Sequence, residues 1–151
     1  MTRILTPFNK QGDKYEDLLK PRLEKILKEP LIKSENVYSH YDFTTLSGIQ
    51  VELKARNYRS SDFKTTMLSK SKYDYIQRLK KTKFYVFVYF IKDDVLMYTP
   101  LGTEFAAGTE QEDIIKGTQT YEHKYKNYIV ENVLLDLSKF QIVEAITEPI
   151  E

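Results

Sequence analysis

The chain contains no cysteine. That absence excludes disulfides, thiol nucleophiles and cysteine-based zinc sites together. Its two histidines, His40 and His123, are too few for a three-histidine zinc centre. Long apolar runs are missing as well. The longest, Phe84 to Ile91, has eight residues, less than half of what a bilayer span needs. Residues 1–10 lack the apolar stretch of a signal peptide, so the expected setting is cytoplasmic, with no membrane partner. Neither charge is in excess, with 23 Lys plus Arg against 22 Asp plus Glu. There is no internal repeat, low-complexity tract or Pro/Gly-rich linker. The 151 residues therefore read as one domain over 1–151, large enough to bury a core without staples.

The even charge total conceals an asymmetry. Ten basic residues lie between Leu53 and Lys83, opposed only by Asp62 and Asp74. From Leu101 onward, ten acids face four lysines. A basic central segment beside an acidic end is compatible with a nucleic-acid surface and equally with a solvated helix. Twelve tyrosines and eight phenylalanines supply core and strand residues, and some could stack on bases.

Residues 1–12 read as an arm. Asp13 has the form of a helix N-cap, with Glu16 three residues on as in a capping box. The helix it opens should run to about Glu29, with Leu19, Leu23, Ile26 and Leu27 as its apolar stripe. Pro21 should kink or interrupt it. Val37 to Leu46 reads as a strand, Ser47-Gly48 as a turn, and Ile49 to Ala55 as a second strand. Thr65 to about Lys81 reads as a helix. Phe84 to Ile91 has the continuous apolar character of a strand buried on both faces, and Lys92-Asp93-Asp94 turns into a further strand, Val95 to Leu101. Residues 102–127 are polar, with one short helix expected around Glu110 to Lys116, and Tyr128 to Leu137 reads as a last strand. The expected fold is mixed α/β, a central mixed β-sheet flanked by helices.

The hairpin concentrates the chemistry. Ile49, Val51, Leu53 and Ala55 alternate with Gln50, Glu52, Lys54 and Arg56. Phe43 must share a face with Leu53, which sets the register. A two-residue turn would send Asp42 and Glu52 to opposite faces. A three-residue turn, or a bulge at Gly48, pairs Leu46 with Gln50 and places Asp42 across from Lys54. His40, Asp42, Glu52, Lys54 and Arg56 then share one face. Two carboxylates converging there must take up a proton or a cation. Their hard oxygens suit Mg²⁺, with Mn²⁺ able to substitute. Lys54 would place an ammonium beside the cation, where it can orient water or stabilise phosphorane-like charge. The bland alternative is a cross-strand salt bridge of Lys54 with Asp42 or Glu52.

Asp42, a nine-residue spacer and then Glu52-Leu53-Lys54 resemble the PD-(D/E)xK nuclease superfamily, which includes restriction endonucleases, Holliday junction resolvases and many phage-encoded nucleases. Tyr41 stands where the signature has proline. The resemblance spans about residues 13–101 and leaves the last third unassigned. It implies a restriction-endonuclease-like core, ordered helix, three strands, helix, strand. It also implies a metal-dependent endonuclease that hydrolyses DNA. Asp42, Glu52 and the backbone carbonyl of Leu53 would hold the metal, and Lys54 would act on the attacking water. Glu16, on the stripe of the first helix, matches the glutamate that the family often adds to its metal site, although helix capping explains it equally well. Lys72, on the stripe of Leu68, Tyr75 and Leu79, matches the residue that often completes the active site, with Lys70 as the alternative.

Arg56, Arg59, Lys64 and Lys70 are expected phosphate contacts, or else solvated charge. His40 is more readily structural, Asp93 and Asp94 belong to a turn, and His123 has no assigned role. The expected partner is duplex or branched DNA, with a homodimer as an allowed assembly and a phage origin, hence a host-cell cytoplasm, in keeping with the resemblance. Two other readings compete: a non-catalytic DNA-binding module that keeps the fold, and an interaction protein that uses its acidic last third.

Overall fold

The computed structural model describes residues 7–35, 39–102, 114–122 and 129–143. Helix α1 runs over Pro7–Leu27. Strands β1 (Ile32–Lys33), β2 (Phe43–Thr44), β3 (Gln50–Arg56) and β4 (Thr65–Ser69) follow, then helix α2 (Lys70–Arg78). Strands β5 (Phe84–Phe90), β6 (Val95–Leu101), β7 (Ile115–Glu122), β8 (Ile129–Asp136) and β9 (Gln141–Val143) complete the strands of the described residues. Six strands form a mixed sheet in the order β1-β2-β3-β5-β6-β9, and three form a second sheet in the order β4-β8-β7. The fold is thus mixed α/β. Among the described residues no helix is long and apolar enough to cross a membrane.

The expected arm is in part helical: α1 begins at Pro7, not at Asp13. Proline suits the first helical position because it has no N–H to leave unpaired there. Glu16 consequently lies well inside the helix and caps nothing. The helix also continues through Pro21. Pro21 is exposed, and the carbonyl of Asp17 that its ring leaves unbonded lies on an exposed residue, where water can satisfy it. Leu19 and Leu23, both buried, hold the two halves against the sheet.

β3 and β5 pair in parallel, Gln50 with Phe84 through Arg56 with Phe90, and β5 pairs antiparallel with β6. Parallel neighbours need a crossover, here supplied by β4 and α2. β5 is apolar throughout because both of its faces are covered. Phe87 and Tyr89 join Leu19 and Leu23 of α1, Phe43, Val51 and Leu53 in one core cluster. Phe84, Val86, Val88 and Phe90 join Ile76 of α2, Leu68 of β4, and Val133 and Leu135 of β8 in the other. The six-stranded sheet is therefore sandwiched between α1 and a layer made of α2 and the smaller sheet.

Three further expectations are corrected. Thr65 to Ser69 is a strand rather than the start of a helix, paired with β8 from Thr65–Asp136 to Ser69–Asn132. Its alternation, with Thr66 and Leu68 buried and Met67 exposed, is that of a half-buried strand. Residues 115 and 116 belong to strand β7, not to a short helix. The first hairpin strand is only Phe43–Thr44; Val37 and Tyr38, expected to begin it, lie outside the described residues.

Candidate active site

The hairpin closes differently from expectation. Phe43 pairs with Val51 and Thr44 with Gln50, a register two residues away from the one that sets Thr44 against Glu52. The loop is Leu46 to Gly48, closed by a bond from the Thr45 N–H to the Ile49 carbonyl at 3.0 Å. Gly48 takes φ +94 there, a region costly for any residue with a Cβ. Leu46 belongs to this loop and not to the strand, which is why it is 85% exposed. The face assignment survives, since a shift of two preserves parity, but Asp42 has a new partner.

Asp42 precedes β2. Its N–H donates to the Val51 carbonyl at 2.7 Å, and its Oδ2 accepts from the Leu53 N–H at 2.7 Å. The carboxylate thus replaces the carbonyl that a longer β2 would have offered to β3. The N–H and C=O of a strand residue project from the same edge, so the Leu53 carbonyl also points towards Asp42.

Glu52 points towards α2. It is 2% exposed. Its Oε1 accepts from Lys72 Nζ at 2.5 Å and lies 3.0 Å from Lys54 Nζ. Its Oε2 is buried and has no hydrogen-bond partner among the described residues. Ser69 caps α2 by accepting from the Lys72 N–H, and fully buried Ile76 anchors the helix one turn on. Tyr75 OH donates to Gln50 Oε1 at 2.7 Å, and the His40 ring stacks on Tyr75 at 4.3 Å. Two side chains of α2 therefore bind the polar face of β3, which fixes the height of Lys72 over Glu52.

The two carboxylates are electrostatically opposite. Burial, the Glu52 carboxylate and the Glu16 carboxylate hold Asp42 well above its ordinary value, and the Leu53 N–H and Lys72 only partly offset them. Burial also pushes Glu52 up, but the Lys54 and Lys72 ammoniums outweigh it and leave Glu52 below its ordinary value. Of the two, Asp42 is the carboxyl more reluctant to ionise and Glu52 the readier.

Glu16 is buried on α1 and pairs with Lys33 of β1, Glu16 Oε2 to Lys33 Nζ being 3.2 Å. It lies close enough to Asp42 to raise it. Yet among the described residues no three His, Asp or Glu side chains stand grouped to hold a metal ion. The acidic oxygens immediately on offer are those of Asp42 and Glu52.

The basic residues divide. Lys72 reaches the site, whereas Lys70 pairs with Asp74 at 2.8 Å on the surface. Arg56 donates from a terminal guanidinium nitrogen to the Met67 carbonyl at 3.2 Å and so ties β3 to β4. Arg59 and Lys64 are exposed in the loop that leaves the end of β3. Asp93 holds the same loop through the N–H and hydroxyl of Ser60, and Asp94 accepts from Tyr89 OH at 2.6 Å. Both aspartates are turn residues, as read from sequence. His123 lies outside the described residues.

No family model, no curated protein and no solved structure matches the chain.

Lys33, Gln50 and Tyr75 join the site without having been expected. Gln50 carried a signal, since it shares the alternating polar face of Glu52 and Lys54. Lys33 sits in a two-residue strand, too short for any periodicity to show.

Proposed function

We propose that this chain is a divalent-metal-dependent endonuclease of PD-(D/E)xK type, acting on DNA phosphodiester bonds. One observation carries the reading. Glu52 is buried with one oxygen held by two ammoniums and the other left without a partner among the described residues, and a second carboxyl, Asp42, stands close enough for the two to repel. An exposed salt bridge would explain Lys54 and Glu52 at a cost of next to nothing, about 0.5 kcal/mol either way. It does not explain a carboxylate that is 2% exposed with an orphaned oxygen, which costs several times that amount unless something else fills the site. The element order also supports the reading: α1, the antiparallel run β1-β2-β3, a crossover through α2, then β5 parallel to β3.

The donor set fits a hard cation. Glu52 Oε2, the second oxygen of Asp42 and the Leu53 carbonyl are all oxygen ligands, with no soft group among them. Bound there, Mg²⁺ or Mn²⁺ supplies Lewis acidity and a water made nucleophilic at neutral pH. Asp42 would hold the ion as a carboxylate. Lys54 and Lys72 hold ammonium charge at fixed points, where they can donate to the oxygens of a scissile phosphate as negative charge grows on it. Leu53 keeps Asp42 oriented through its N–H. Arg59, Lys64 and Lys70 lie outside this constellation and serve the reading as backbone phosphate contacts.

Plasmid and branched DNA incubated with the protein, with Mg²⁺ and with EDTA, test the proposal. Nicking or resolution that requires Mg²⁺ and disappears in Asp42→Asn is the expected result. DNA binding by the wild-type chain with no metal-dependent cleavage would support the non-catalytic module instead.

A further inference from the structure

The arrangement around Glu52 bears on how many cations the site takes. Two-metal phosphodiesterases place their ions roughly 3.5–4 Å apart, and a shared carboxylate commonly bridges them. Here the two oxygens of Glu52 have different fates. Oε1 faces Lys72 Nζ at 2.5 Å and Lys54 Nζ at 3.0 Å. Oε2 is buried and unpartnered among the described residues. Asp42 is likewise divided, with Oδ2 engaged by the Leu53 N–H. The carboxylate oxygens left for a cation are Glu52 Oε2 and Asp42 Oδ1.

We infer that the site is built for a single divalent cation, with the Lys72 ammonium standing where a second would go. The inference rests on the nuclease reading and goes beyond it by assigning Lys72 a specific place. A Mg²⁺ or Mn²⁺ ion needs its carboxylate oxygen at about 2.1 Å, and the Lys54 and Lys72 ammoniums already take both lone-pair positions of Oε1. Charge leads to the same number. Asp42, Glu52, Lys54 and Lys72 are neutral as a set once Asp42 is ionised. One divalent cation leaves two positive charges, which a phosphodiester and a hydroxide balance. A second cation would leave two positive charges uncompensated in a buried site, which is costly. Lys72 is placed for this by packing rather than by chance contact, since Ile76 and the Tyr75–Gln50 bond seat α2 on the sheet.

Mn²⁺ binding to the full-length protein, followed by electron paramagnetic resonance and calorimetry, tests the inference without reference to activity. The wild-type chain should lose one Mn²⁺ site when Asp42→Asn is introduced, and its bound spectrum should be that of an isolated ion. Lys72→Gln, and Lys72→Ala alongside it, should gain a second, weaker site and the spectral broadening of a close Mn²⁺ pair. Two Asp42-dependent ions in the wild-type protein would overturn the inference and leave the nuclease reading standing. A count that stays at one in both Lys72 variants, with folding verified by circular dichroism, would remove Lys72 from the role. No Asp42-dependent Mn²⁺ site at all would overturn the inference and the metal reading together.

Discussion

Asp42→Asn should make the metal-free protein more stable. Burial, Glu52 and Glu16 hold the Asp42 carboxyl above its ordinary value of 3.8. A carboxyl raised on folding holds its proton more tightly in the folded chain than in the unfolded one. Its contribution is therefore neutral below the unfolded value and becomes destabilising as pH climbs towards the folded one. The slope is at most about 1.4 kcal/mol per pH unit, and the loss is constant above the folded value. Asparagine has no charge to lose, and its amide oxygen can keep the 2.7 Å bond from the Leu53 N–H. Asp42 is half-buried, so water screens part of the effect, and the weak attraction of Lys72 is forfeited. A net gain of about 1–2 kcal/mol above neutral pH remains. At roughly 2–4 °C per kcal/mol for a chain of this size, Tm should rise by about 2–8 °C. Thermal melts of both proteins in EDTA, from pH 4 to 9, measure it. The curves should nearly coincide at the acid end and separate upward. Mg²⁺ should then reverse the ranking, because only the wild-type chain gains a ligand that binds the folded state. A variant less stable than wild type at every pH, or a gap that ignores pH, refutes the reasoning.

Lys54→Ala should lower cleavage by ~10²–10³, the usual cost of one preorganised electrostatic donor, with DNA affinity in a gel-shift assay little changed; cleavage that survives it would take Lys54 out of the chemistry. Charge reversal at Arg59 and Lys64 should weaken binding and flatten the log–log salt dependence by roughly 0.9 for each lost phosphate contact on duplex DNA, and an unchanged slope would place the DNA elsewhere. Ile76→Ala should cost about 2–4 kcal/mol in urea unfolding, the range for emptying a fully buried aliphatic site. It should also reduce cleavage in protein that is still folded, because α2 then sits loosely over Glu52; full activity there would show that Lys72 needs no such seating.

What was legible in the sequence follows physical lines. β5 and β6 were readable nearly to the residue because one has both faces buried and the other begins at a tight turn. The polar face of β3 was readable because alternation is strict from Gln50 to Arg56. Parity then placed Asp42 on the correct side even though the register itself was two residues off. That error came from counting Leu46 as a strand residue, when its apolar side chain points into solvent from the loop. β4 was absorbed into the helix that follows it because Leu68, Lys72, Tyr75 and Leu79 fall at helical spacing, a pattern that crosses the true boundary at Ser69. Its partner β8 lies some sixty residues downstream, and no local window contains that pairing. β7 carries Lys116, Thr118, Gln119 and Thr120 exposed and has no apolar period to read. Glu52 was readable as a candidate site residue, but its lysine clamp depends on how α2 packs, which no spacing specifies.

The pairing of β4 with β8 has a consequence for the order in which the protein matures during synthesis. Every residue of the proposed site lies before Leu101, so a nascent chain that has emerged to that point already carries all of its chemistry. It does not yet carry β8, without which β4 is an unpaired edge and the core around Ile76 lacks Val133 and Leu135. α2, joined to β4 with no intervening loop, can meet β3 and β5 by then, but one side of the core around Ile76 stays open until residues 129–136 arrive. The core that packs behind α2 is therefore complete only once residues 129–136 have been made.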